Sequence, residues 1–168
     1  MFKCVKLGEI IKFTAIIICI VLTVTFIFSN SFDNKTQSNA KSEKIVKVIK
    51  PSVDKISKKL TGKDTKTEDV NKYTRKFAHF TEFAVLGAEL LILMLLIEKA
   101  ITKLIFMPLF TGLLTAVTDE FIQSFNQRSD MVSDVIIDLS GCIFGIITAL
   151  LVFIIIKKHK SKKIIERG

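Results

Sequence analysis

Arg75, Lys76, His79 and Glu82 fall within eight positions of one another. A second group follows at Asp119, Glu120 and Gln123, and a third at Arg128, Asp130, Asp134 and Asp138. On a helix, a spacing of three puts His79 and Glu82 on one face, and Glu89, seven beyond Glu82, continues that face. Thr111, Thr115, Asp119 and Gln123 recur every four residues and make a polar stripe, and Asp134 and Asp138 share a face in the same way. These residue types suit three chemistries. A histidine beside a carboxylate can pass protons, several carboxylates can hold a divalent cation, and an arginine can grip an anionic headgroup. His79, Glu82, Asp119 and Glu120 are the catalytic candidates, and Arg75, Gln123, Arg128 and Asp134 the substrate-binding ones. Within that set His79 or Glu82 would act as acid and base. Asp119, Glu120 and Asp134 would hold a divalent cation, and Arg128 a headgroup. The competing reading is a structural ion-pair network of the same acids with Arg75 and Arg128.

The elements that position these groups are apolar runs at about residues 10–28, 77–97, 104–121 and 134–156. Each is close to the roughly 17–25 residues a helix needs to cross a bilayer core. Glu82 and Asp119 lie where a run is already established, a costly place for charge and so a functional candidate. The second run enters the membrane where the third leaves it and the fourth enters it. The three polar groups therefore meet at one membrane face, whichever way the protein is inserted. Pro108 and Gly112 lie inside the third run and are tolerated in a membrane helix, while Gly141 and Gly145 form a GxxxG that permits close helix approach.

Hydrophobic residues make up 49% of the 168 and charged residues 24%, in separate blocks rather than mixed at helical period. That segregation indicates a membrane protein, an all-α bundle of about four transmembrane helices, organised as a single domain over residues 1–168. The net charge of +9 flanks the apolar runs, where positive-inside sorting and anionic lipid account for it, so nucleic acid is not an expected partner. The expected partners are the bilayer and an anionic envelope lipid or polymer. Cys4, Cys19 and Cys142 offer no CxxC spacing and hence no cysteine zinc site. Ser29-Asn30-Ser31 is a small-x-small cleavage pattern, but the apolar core from Phe13 to Phe28 is long for a signal peptide, so a retained anchor is expected. In the connector, residues 29–76, Ile45, Val48, Ile49, Val53, Ile56 and Leu60 recur at spacings of three and four among lysines. This predicts an amphipathic helix lying in the interface and covering the polar site, with Pro51 as a candidate break. The tail, residues 157–168, carries Lys157, Lys158, Lys160, Lys162, Lys163 and Arg167. Together with Lys99 and Lys103 in a short turn, it places both termini in the cytoplasm of a multi-pass cell-membrane protein, although the connector is lysine-rich too.

In these motifs the chain resembles the VanZ-like family of bacterial membrane proteins. The resemblance lies in Arg75-Lys76-Phe77-Ala78-His79-Phe80-Thr81-Glu82-Phe83, then Asp119-Glu120-Phe121-Ile122-Gln123, then Arg128, Asp134, Gly141 and Gly145. Phe28-Ser29-Asn30-Ser31 is similar to the family's Phe-Ser-Ser-Gln but departs at its last two positions. Asp138 stands where many members have Asn, and Gln127 where a Gly is common. Roles for Asn30, Ser31 and Asp138 are therefore not carried over. The resemblance implies a cell-envelope protein, in a family named for lowered susceptibility to teicoplanin-type glycopeptides. It leaves open an enzyme that modifies a surface component, a non-catalytic binding or scaffold protein for a lipid-linked polymer, and a small proton-coupled transporter.

Overall fold

A computed structural model describes residues 7–33, 35–97, 100–125 and 131–165. The described residues form five helices and no strand: α1 (Leu7–Ser31), α2 (Lys35–Thr61), α3 (Thr67–Ile97), α4 (Ile101–Ser124) and α5 (Met131–Ile165). Four of them, α1, α3, α4 and α5, are long and apolar enough to cross a membrane. Their outward faces carry large apolar side chains such as Ile11, Phe26, Phe110, Phe144 and Ile155, all exposed. In water such a surface would aggregate, whereas in lipid it is solvated. The expectation of an all-α membrane bundle is met.

The helices outrun the apolar runs. α3 starts at Thr67, ten residues before the predicted span, and α5 continues through the basic tail to Ile165. The α3 extension gives α2 something to pack on. Ser42 and Val46 of α2 and Val70 of α3 are buried, and Lys41 donates to Asp33 Oδ2 at 2.5 Å and to Asn30 Oδ1 at 3.4 Å. α2 runs unbroken through Pro51, so the candidate break does not occur. It ends at Gly62, whose φ of +73° is the left-handed conformation that closes a helix without a Cβ clash. Asp54 then ties the turn: it pairs with Lys50 at 2.6 Å and accepts from the Thr65 backbone at 3.0 Å and from its hydroxyl. The Lys50 hydrogen bond, with Thr65 second, holds the Asp54 carboxyl well down, at about 2. Its folded-state value is depressed, so its contribution is whole above the ordinary value of 3.8 and disappears as the pH falls through about 2.

The predicted apolar stripe of α2 divides. Ile49 and Val53 are half-buried, while Ile45, Val48, Ile56 and Leu60 stay exposed. An exposed apolar edge on a lysine-rich helix is what an interfacial helix presents to lipid. A peptide spanning Lys35–Thr61 is expected to be coil-like in buffer and to gain helicity on anionic vesicles, read by circular dichroism. A coil-like spectrum on those vesicles would return the segment to a solvated linker.

The most extensive helix pair is α3 with α5, and the contact is backbone on backbone. A Cβ at Gly141 would run into the Phe80 carbonyl, one at Gly145 into the Ala84 carbonyl, and one at Gly87 into the Cys142 carbonyl. α4 closes on the same place, where a Cβ at Gly112 would meet the Cys142 sulfur. Around this crossing Phe83, Leu86, Leu91, Ala116 and Cys142 form the core with Ile27 of α1. Gly141 follows Asp138 by three residues and packs on Phe80, the neighbour of His79. Glycine at the helix crossing thus sets the distance between the His79 and Asp138 side chains.

Candidate functional site

The polar ends of α3, α4 and α5 meet at one end of the bundle, and the end of α1 joins them. At the centre is Asp119 of α4, fully buried. Its Oδ2 accepts from Gln123 Nε2 at 2.7 Å, a helical i,i+4 pair, and its Oδ1 faces the Ser31 hydroxyl. Ser31, also fully buried, lies 3.0 Å from the Ile27 carbonyl and 3.5 Å from the Gln123 amide. His79 Nδ1 lies 3.7 Å from Asp119 Oδ2 and 3.7 Å from Asp138 Oδ1. Asp138 is fully buried, and Glu120 and Gln123 are each 3% exposed. Glu82, half-buried one turn deeper than His79, accepts from Asn30 Nδ2 at 3.1 Å. Deeper again, Thr23 donates to Glu89 at 3.1 Å.

The other expected residues are placed differently. Asp134 pairs with Lys76 at 2.8 Å, with Ser133 beside the lysine at 3.4 Å. It therefore balances a cation at the rim rather than joining Asp119 and Glu120 in a ligand set. Arg75 is half-buried and makes no ion pair among the described residues. Arg128 and Asp130 lie outside the described residues, and with them the expected headgroup grip and the Arg128 part of the ion-pair network. The stripe on α4 is polar inward at Asp119 and Gln123, whereas Thr115 turns its hydroxyl back to the Thr111 carbonyl at 2.9 Å.

Asn30, Ser31 and Asp138 belong to the cluster although none was assigned a role from sequence. Asn30 and Ser31 look like an ordinary polar helix exit until Glu82 and Asp119, distant in sequence, are seen to bond them. For Asp138 a signal was present: it lies one turn from the GxxxG and four from Asp134, on a face that close packing must bury.

The site thus gathers Glu82, Asp119, Glu120, Asp138 and His79 in the low-dielectric end of a membrane bundle. Ionised carboxylates there cost several kcal/mol unless partnered, which makes the cluster a candidate site. Beside Glu82, a cleft of about 320 Å³ opens between α1 and α3, lined by Leu22, Thr23, Phe26, Thr81 and Val85. Together, fold and site define a multi-pass membrane protein with a carboxylate-rich polar cluster at one face of the bundle. The sequence model of the VanZ/LLP1 family matches residues 13–155, which takes in every helix that builds the cluster, and the chain belongs to that family. Comparisons with curated proteins and with solved structures find no match.

Proposed function

We propose that this protein binds the headgroup of an amphiphilic envelope component at the His79–Asp119–Glu82 cluster, modifies or sequesters it, and thereby lowers the access of teicoplanin-type glycopeptides. The observation that carries this is the juxtaposition of a buried polar cluster with an apolar cleft at Glu82. A headgroup meets proton-passing and hydrogen-bonding groups there, while its acyl chain has an apolar channel alongside. His79 and Glu82 are the acid–base candidates, Asn30 supplies a donor for an oxygen-rich group, and Gln123 holds Asp119 in place. Expression of the chain in a susceptible Gram-positive host is expected to raise the teicoplanin concentration needed to stop growth, with vancomycin affected less. No change in teicoplanin susceptibility at verified membrane expression would overturn the reading.

The Thr23–Glu89 pair favours a second reading. It extends the polar track below Glu82 and Asn30, as a proton relay in a small transporter would require. Proton flux in proteoliposomes, absent from Glu89→Gln, would separate this from a binding or enzymatic role.

The cluster is placed outside the cell, with both termini in the cytoplasm, on the strength of the six basic residues of the tail. Single cysteines at Asn39 and at Ser161, in a background lacking Cys4, Cys19 and Cys142, test this. An impermeant thiol reagent on intact cells is expected to label the Asn39 site and not the Ser161 site, and the opposite pattern would invert the topology.

A further inference from the structure

We propose that His79, Asp119 and Asp138 form a binding site for a divalent transition-metal cation of the zinc type. One ligand atom from each lies within 4.8 Å of the other two. The histidine nitrogen is 3.7 Å from each carboxylate oxygen. Two bonds of about 2.1 Å at a tetrahedral angle hold their ligand atoms roughly 3.5 Å apart, so small side-chain movements close the set on an ion.

The second observation is Asp138 itself. It is fully buried, neither of its oxygens has a hydrogen-bond partner among the described residues, and His79 Nδ1 faces it at 3.7 Å. By contrast Glu82 has Asn30, Glu89 has Thr23 and Asp134 has Lys76. Burying a carboxylate without a partner is costly, and a cation between Asp138, Asp119 and His79 removes that cost. The surroundings of Asp119 fit an outer shell. Ser31 and Gln123 bond its two oxygens and fix their direction, as groups behind metal-bound carboxylates do.

The donor set selects the metal. One imidazole with two carboxylates suits zinc-like ions, whereas magnesium prefers oxygen ligands and keeps its water. Three protein ligands leave a coordination position open to a water or a substrate oxygen. Asp134, the carboxylate expected from sequence in this role, is held by Lys76 instead.

The site stands on geometry and is independent of the resistance reading, so its test uses metal and not antibiotic. The full chain is purified in detergent, stripped with a chelator, and titrated with Zn²⁺ and Mg²⁺ while bound metal is measured by mass spectrometry. One Zn²⁺ per chain is expected, with no competition from equimolar Mg²⁺. Asp138→Asn is expected to weaken Zn²⁺ binding at least tenfold, and His159→Ala and Cys4→Ser to leave it unchanged. Absence of stoichiometric Zn²⁺ in the wild type, equal binding of Mg²⁺, or undiminished affinity in folded Asp138→Asn would each overturn the proposal. Should Asp138→Asn fail to fold, Co²⁺ bound to the wild type decides. Visible absorption of a nitrogen–oxygen site without a thiolate band supports it, and a thiolate band or no absorption refutes it.

Discussion

Glu82→Gln and Asp119→Asn are each expected to keep wild-type expression and thermal unfolding in detergent while abolishing the protein's effect on teicoplanin susceptibility. The structure explains why both fold. In Glu82→Gln the new amide can turn its carbonyl oxygen to Asn30 Nδ2, as Oε1 of the native carboxylate does. In Asp119→Asn the new amide can keep its oxygen on Gln123 Nε2 and present its NH₂ to Ser31, whose hydroxyl then accepts and donates its own proton to the Ile27 carbonyl. Each substitution removes an anion and a proton acceptor while keeping the hydrogen bonds to Asn30, Gln123 and Ser31. A structural ion-pair network predicts the reverse, because its worth lies in the charge. Wild-type susceptibility from both well-expressed variants would sink the functional reading, and loss of folded protein in both would establish the network.

The second large effect belongs to the glycines. Gly141→Ala and Gly145→Ala are each expected to destabilise the bundle, by about 1–3 kcal/mol for overpacking a tight contact. The added Cβ meets a backbone carbonyl of α3, which cannot rotate away as a side-chain end would. α5 must therefore move off α3, and His79 and Asp138 separate with it. Gly8→Ala is the control, since nothing lies within 4 Å of a Cβ there. Thermal unfolding of the purified variants measures the effect. Midpoints for both equal to that of Gly8→Ala would mean that the α3–α5 contact is looser than described.

The membrane bundle was legible because a span is a local property. Some twenty apolar residues with charge at their ends declare a crossing helix whatever they pack against. Convergence of polar ends was legible for the same reason, since an even number of crossings between two groups returns the chain to the same face. Partner choice was not. Lys76 rather than Arg75 takes Asp134, and Asn30 takes Glu82, because helix rotation decides which side chains meet. That rotation is set by α3–α5 glycine packing, whose hand and register the GxxxG pattern alone does not give. Ser31 and Asn30 were passed over because their value is entirely tertiary. The length of α3 was underestimated because its first ten residues are polar and declare no span, and their helix is supported by packing with α2.

The bond between Ser31 and Asp119 joins positions 88 apart, and that between Asn30 and Glu82 positions 52 apart. A ribosome delivers these partners at widely different moments. α1 is threaded into the bilayer long before α4 exists, and Asp138 and Gly141 arrive last of all. While α5 is still being translated, α3 and α4 already carry Glu82, Asp119 and Glu120 without the helix that completes their packing. A charge at a span centre costs roughly 2.5–3.5 kcal/mol on biological scales, and these charges near the span ends cost less. Biogenesis of this protein therefore passes through a stage in which the polar ends of two spans lack the helix that completes their packing. A nascent chain halted before Asp138 should be the form that membrane proteases clear fastest.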